Sequence, residues 1–589
     1  MTNSNDKRLF LACFIALIAT AFGFIVRTQV MGDWGQVFNL SSTQKGEIFG
    51  VGLWPFAISI VLFSLIIDRI GYGRAVVFAL FCHVTSVVIT LCAPLVLAGE
   101  GASQEEIAAG QAAGYWMLYA GNFIVALGNG TVEAFINPIV ATMFAKEKTK
   151  WLNILHAGWP GGLVVGGILA ISLGGVTLDM GSVVLANWQL RVALILIPVV
   201  LYGLLMIGCK FPPNERVAAG VSYRDMLKEP GILGCALVVA LIVLELGRVA
   251  AGLIGWNPDK NPTPDWYPYV QLTIGVLLVL VYGAYVRSLG RFMFFFLMII
   301  MIPLAITELG TDSWITGLME NQVPEGINAG WVLVYTSFIM LVLRFFAGPI
   351  VHKISPLGLL LISSAIAALG LLSLSLSVGT LIILAATLYG VGKTFFWPTM
   401  LGVVSEQFPK GGALTLNMIA GLGMLGAGVI GGSFLGYLQD TRLGVQLKEK
   451  EPIIYQTVMA DKNKTSVFGK YLPLKDNADE SLGQKETRQM AVGTIGALGS
   501  PMGTGPLLAA GGAFPERESV ETKVFNEYRN DVRKNVLMTV ALLPTFMFVC
   551  YLLLIFYFRA KGGYKAEVLT GHGAEDEKFT GGVEGGMEA

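Results

Sequence analysis

Glu133 lies inside the apolar run LGNGTVEAFINPIVATMFAKEKTK, Leu127 to Lys150. A charge at the centre of a membrane-spanning helix costs about 2.5–3.5 kcal/mol on insertion scales, so it needs a partner or a wet cavity. Lys393, in LYGVGKTFFWPTM, is the natural candidate partner. Attraction between two such charges at about 4 Å and an effective dielectric of about 20 is on the order of 4 kcal/mol, comparable to the insertion cost of one. A pair so balanced can be broken by a proton on the carboxylate. Other ionisable groups fall in similar runs: Arg27 near the end of the first, and Glu308 and Asp312 four apart in IPLAITELGTDSWITGLM.

Neutral groups surround these charges. Asn129, Glu133 and Asn137 recur every four residues and form one stripe of a helix. His156 and Trp159 lie on the next apolar run, Trp314 follows Asp312, and Trp397 is one turn from Lys393. Amides, a carboxylate and aromatic faces suit a sugar ring, which offers hydroxyls at its rim and a flat C–H face. Structural readings compete with this one. Asn153 and Asn417 are expected to be packing hydrogen bonds, Arg27 and Asp312 could sit at membrane interfaces, and Glu133 and Lys393 could be a purely structural pair.

Helices must position these groups. Of 589 residues, 54% are hydrophobic and 14% charged, against about 25% charged in ordinary soluble domains. Mean hydropathy is +0.66. Apolar runs of about 20 residues recur some fourteen times, and only helices close their backbone hydrogen bonds in lipid. Forty basic and forty acidic residues balance, which gives no sign of nucleic acid binding. Six cysteines in or beside apolar runs, without a CxxC pair, suggest neither disulfides nor zinc. Lys and Arg concentrate in alternate connections, which predicts both chain ends on the cytoplasmic side. One long polar insert, 439–535, contains the Gly- and Pro-rich stretch 491–514, and the acidic, Gly-rich tail 559–589 is expected to be disordered.

The chain also repeats itself. Glu133…Asn137-Pro138 has the spacing of Lys393…Trp397-Pro398, and Leu152-Asn153 matches Leu416-Asn417, each before a Gly-rich stretch. Ahead of each block a helix ends in a charged turn, SLIIDRIGYGR and GPIVHKISPLG, with Asp68-Arg69 in the places of His352-Lys353. SLIIDRIGYGR resembles the G-x-x-x-D-R-x-G-R-K loop of the major facilitator superfamily, with Ser64 for the first Gly and Arg74 carrying the later basic charge. Glu133-Ala134, Asn137-Pro138 and Leu152-Asn153 resemble motifs of the fucose–proton symporter branch. Where that branch has an acidic residue late in its first helix, this chain has Thr28 beside Arg27.

The resemblance implies an all-α polytopic membrane protein: two pseudo-symmetric six-helix bundles (1–209 and 294–558) and an inserted helix pair within 210–293. It implies a secondary transporter working by alternating access as a proton symporter of a small polar solute. A sugar is expected; a proton-driven exporter and a non-transporting sensor are the alternatives. Glu133, Asn137, Lys393, Trp397, Glu308, Asp312, Trp314, Arg27, Asn129 and His156 are the expected solute and proton site. Asp68, Arg69, Arg74, Arg344, His352 and Lys353 are the expected latch of the cytoplasmic loops. The expected partners are the solute, protons and the bilayer of a bacterial inner membrane, with a monomeric chain, no cofactor and no catalytic or metal centre.

Overall fold

The structure is a computed structural model that describes residues 4–40, 42–99, 101–179, 184–256, 263–319, 322–323, 329–460, 464–466, 468–475, 520–567 and 569. The expected stretch 491–514 lies outside these. Among the described residues, thirteen helices are long and apolar enough to cross a bilayer, and one bent pair makes a fourteenth. In chain order they are α1 Ser4–Val37, α2 Gln44–Ile70, α3 Tyr72–Val96, α4 Gln104–Met143, α5 Lys148–Ser172 and α6 Asn187–Met206. The inserted pair is α7 Gly231–Leu253 and α8 Tyr267–Val286. Then come α9 Phe292–Ser313, α10 Gly330–Arg344 with Ala347–Ile354 bent by 65°, α11 Pro356–Leu376, α12 Leu381–Gln407, α13 Pro409–Lys450 and α14 Glu521–Ala560.

Two compact units make up the chain: Met1–Ile254, Pro264–Gly432 and Leu537–Ala589 form one, and Gly255–Thr263 with Ser433–Val536 the other. The smaller unit holds most of the expected insert, including a short hairpin of Lys464–Ser466 and Gly469–Tyr471. Both halves of the repeat meet in the larger unit.

Local sequence explains the key contacts. Ser103 and Glu106 cap α4 reciprocally, Ser103 N donating to Glu106 Oε2 at 2.8 Å and Glu106 N to Ser103 Oγ at 3.3 Å. The glycines of α5 let it lie against α1: a Cβ on Gly162 would stand 2.5 Å from the Ile18 carbonyl oxygen. α7 carries the salt bridge between Glu245 and Arg248, 2.6 Å, one turn apart. The large apolar side chains of α8, such as Leu272 and Val281, are exposed, as befits a helix that faces lipid.

Prolines mark the point where the two halves depart from one another. A proline inside a helix cannot donate to the carbonyl four residues back. Pro138 therefore frees the Ala134 oxygen, which accepts from Asn417 Nδ2 at 2.9 Å across the interface between the halves. Pro398 likewise frees the Thr394 oxygen, which accepts from Arg344 Nε at 2.7 Å. α4 runs unbroken through its proline, whereas α12 consists of Leu381–Lys393 and Phe396–Gln407 with a break between them.

Candidate functional site

Two adjoining cavities lie between the halves. The inner one, about 360 Å³, is lined by Glu133, His156, Glu308, Arg344 and Trp397. The larger, about 980 Å³ including its mouth, is lined by Arg27, Asn122, Asn129, Asp312 and a set of aromatic side chains. Phe56, Trp159, Leu309 and Met424 belong to both walls.

Glu133 does not pair with Lys393. Lys393, fully buried, pairs with Asp312 and stands 4.8 Å from the centre of the Tyr389 ring. Both partners belong to the second half. The break after Lys393 explains the difference, since it ends the helical path that α4 follows past the equivalent Glu133. Glu133, 4% exposed, instead accepts from Asn137 Nδ2 at 2.7 Å, and among the described residues it has no ion-pair partner.

A line of hydrogen bonds leads on from there. Asn137 Oδ1 is 2.9 Å from His156 Nε2, and the His156 carbonyl accepts from Arg344 Nη1 at 2.7 Å. Arg344 Nη2 donates to Glu308 Oε1 at 2.8 Å. Glu308 Oε2 accepts from the Trp397 backbone N–H at 3.3 Å, a donor left free at the start of the helix Phe396–Gln407. Arg344 thus joins α5, α9 and α12 from the centre of the molecule. Expected as a loop latch, it is a core residue, 1% exposed. The signal for it was present: it closes the apolar run that begins at Trp331, with two phenylalanines after it.

The remaining expected residues fall in separate places. A π-helical turn at Ile306–Gly310 holds Glu308 and inserts a residue into α9, so Glu308 and Asp312 serve different cavities. Asn129 contacts His83, Oδ1 to Nε2 2.9 Å, and His83 Nδ1 is 3.0 Å from the Tyr202 hydroxyl. Arg27 is buried within the protein, 6% exposed, with Nη2 donating to Ser86 Oγ at 2.8 Å. Trp314 lies in the helix Thr311–Met319, and its side chain lies outside the described residues.

Neither expected loop latch closes within its own turn. Asp68 pairs with Arg216 of the segment joining the halves and accepts from Asn214 Nδ2 at 2.5 Å. Arg69 stacks on Tyr223, 5.0 Å from its ring centre, and Arg74 reaches only the Ile70 carbonyl, at 3.4 Å. His352 contacts Glu147 at 3.2 Å, where Lys150 also donates at 2.9 Å, and Lys353 is exposed. Arg216 has a buried carboxylate because α2 ends beside the linker, a tertiary contact that loop spacing does not encode.

The halves close against each other on this same basic face. Lys148 Nζ stands 2.9 Å from both Glu215 oxygens and 3.3 Å from the Ser405 carbonyl. Thr149 Oγ1 donates to Glu406 Oε1 at 2.5 Å, Asn153 Nδ2 to Thr399 Oγ1 at 3.2 Å, and Gly402 packs on Thr149. The other Glu406 oxygen accepts from the Tyr564 hydroxyl at 2.9 Å. The start of the tail is therefore docked, contrary to the expected disorder. Gln407 Nε2 donates to the Lys565 carbonyl at 2.8 Å, and Arg291 Nη1 to Glu567 Oε2 at 2.8 Å.

The chain is similar to several known proteins. The proton:xylose symporter XylE of E. coli, bound to 6-bromo-6-deoxy-D-glucose, superposes with a TM-score of 0.52 at 14% identity, covering 74% of this chain and 90% of that one. A variant of the E. coli fucose:proton symporter FucP reaches 0.46 at 15% identity over 74% and 92%, too weak a likeness to bear an argument. A gentisate transporter of Corynebacterium glutamicum is 24% identical over 215 residues, 36% of this chain and 43% of that protein, so the match spans less than half of the relative's length. The family model of the Major Facilitator Superfamily matches residues 9–432. Thirteen apolar helices and one bent pair among the described residues, with a match across most of the chain, lead to one conclusion: the chain belongs to the major facilitator superfamily and is a multi-pass membrane transporter.

Proposed function

We propose that this transporter moves a small ring-shaped solute by alternating access and couples it to protons through Glu133. The observation that carries this reading is the setting of Glu133, a buried carboxyl on a cavity wall with an amide partner and no cation. A proton added to Glu308 or Asp312 would strand Arg344 or Lys393 without its counter-charge inside the membrane. A proton added to Glu133 breaks no ion pair among the described residues. Through Asn137 and His156 it also reaches Arg344, so its state can be felt in both halves.

The larger cavity supports a ring-shaped solute by its lining. It combines the flat faces of Phe24 and Trp159 with the amides of Asn122 and Asn129. A sugar fits that description, and so does an aromatic acid, the class suggested by the relative named a gentisate transporter. With the basic face in the cytoplasm, as the distribution of Lys and Arg favours, the closed contacts at Thr149 and Glu406 describe an outward-facing state. We read the chain as a monomer of the bacterial plasma membrane with both termini inside.

Proteoliposomes with an inward-directed proton gradient test this, with xylose and 2,5-dihydroxybenzoate as labelled solutes. Wild type is expected to accumulate one of them against its gradient. Glu133→Gln is expected to lose accumulation while keeping solute exchange at equal pH. Gradient-driven accumulation by Glu133→Gln would overturn the role of Glu133.

A further inference from the structure

Arg27 is the one buried cation of the larger unit, among the described residues, that holds no carboxylate. Six lysine and arginine side chains are buried there among the described residues, and five are paired: Lys148 with Glu215, Arg191 with Asp33, Arg216 with Asp68, Arg344 with Glu308 and Lys393 with Asp312. Arg27 makes only neutral contacts, Nη2 to Ser86 Oγ at 2.8 Å and Nη1 to the Gly23 carbonyl at 3.2 Å. Its Nε is buried without any partner. A guanidinium has five N–H donors in a planar fork that matches a carboxylate, and leaving it uncompensated inside a membrane protein is costly. It lines the larger cavity, so the missing anion can reach it.

From these observations we infer that the solute is a monocarboxylate borne on an aromatic ring, with Arg27 as the group that takes the carboxylate. This rests on the transport reading above and names its solute. The wall beside Arg27 is apolar and flat. Phe24, one turn earlier on α1, has its ring 5.9 Å from that of Trp159 and 6.0 Å from that of Phe49, and all three line the cavity. A sugar exposes hydroxyls around its whole edge and would leave several unpaired against such a wall. An aromatic acid presents one charged end and two apolar faces. Asn122 and Asn129, on the same cavity, remain for a ring substituent.

Charge counting links this site to Glu133. The cavities are lined by Arg27, Asp312, Glu133, Glu308 and Arg344, with Lys393 on Asp312. His83 faces Asn129, and His156 faces Asn137. The pairs Glu308–Arg344 and Asp312–Lys393 cancel, leaving one positive charge at Arg27 and one negative at Glu133. The empty interior is neutral with Glu133 ionised. It is neutral again when a proton sits on Glu133 and a carboxylate on Arg27. A proton alone, or an anion alone, leaves a net charge that must be buried as the halves move. One anion therefore travels with one proton.

The test uses the purified full-length protein in detergent and its tryptophan fluorescence, titrated with benzoate, 2,5-dihydroxybenzoate, xylose and benzyl alcohol, the neutral counterpart of benzoate. Wild type is expected to bind a carboxylate saturably, and benzyl alcohol about ten- to a hundredfold more weakly, the ratio that a charge-assisted hydrogen bond provides. Arg27→Gln is expected to erase that preference, and Arg27→Lys to restore part of it. The benzoate-to-alcohol ratio is read on wild type alone, so it stands even if Arg27→Gln fails to fold. Equal binding of benzoate and benzyl alcohol, no binding of either acid, or an unchanged ratio in Arg27→Gln would overturn the inference. Carboxylate binding without proton-driven uptake would sink the transport reading and leave the anion site. Proton-driven uptake of xylose alone would do the reverse.

Discussion

Replacing Arg344 by Gln removes the centre of the network that joins the two halves. Arg344 donates to the Glu308 carboxylate at 2.8 Å and to the carbonyls of His156 and Thr394 at 2.7 Å each. Both members of the ion pair are almost fully buried, at 1% and 2% exposure. Removing one partner of a buried pair leaves the other charge uncompensated and costs about 3–5 kcal/mol. We expect Arg344→Gln to lie near the lower end, about 3 kcal/mol, because the amide keeps one donor. Glu308→Gln leaves the guanidinium its two carbonyls and costs less, about 1.5–3 kcal/mol for one charge-assisted hydrogen bond. The double variant Glu308→Gln/Arg344→Gln buries no charge at this point. It should recover about 0.5–3 kcal/mol of the summed losses, the usual range of coupling between contacting residues. Thermal melts of fluorescently tagged protein, followed by size exclusion, give the ranking: wild type above each variant, and the double variant above the level to which the two single losses sum. A double variant whose loss equals the sum of the two single losses would show that the pair has no energetic coupling and would refute the network.

Two other substitutions test the closure and the proline breaks. Thr149→Val deletes the donor to buried Glu406 and should weaken the closed basic face by about 1–3 kcal/mol. Maleimide labelling of an introduced Ser405→Cys should then run about tenfold faster, at 1.4 kcal/mol per tenfold, and an unchanged rate would refute this role for the contact. In an ordinary helix interior, Pro→Ala gains about 3 kcal/mol. Pro398→Ala should bring no such gain, since the Thr394 oxygen is already held by Arg344 Nε. A large rise in melting temperature would show that this hydrogen bond contributes little.

Most of the architecture was legible in the sequence, because bilayer thickness converts hydrophobic run length directly into helix count. The internal repeat was legible too, through Asn137-Pro138 and Trp397-Pro398. What could not be read is where each long side chain goes. Equivalent repeat positions suggested that Glu133 and Lys393 face each other, but a break of the helix after Lys393 and a nearby aspartate keep the lysine within its own half. Arg344 ends an apolar run as a loop residue would, yet its side chain is buried while Phe345 and Phe346 of the 65° bend that follows are exposed. The contact of Glu406 with Tyr564 is not legible in the sequence, since the two are 158 residues apart and nothing local relates them.

The repeated prolines show why one ancestral pattern yields two different halves. Each proline frees one carbonyl, and a freed carbonyl inside a membrane must find a donor. Asn417 supplies a neutral donor at Ala134, and Glu133 one residue earlier has no cation partner among the described residues. Arg344 supplies a charged donor at Thr394, and that charge requires Glu308. The second half thereby satisfies its own charges and becomes a fixed electrostatic frame. Among the described residues, Arg27 and Glu133 of the first half are the cavity charges that hold no counter-charge. Exchanging the donors, with an amide at residue 344 and a guanidinium at residue 417, should therefore move the unpaired carboxyl from residue 133 to residue 308.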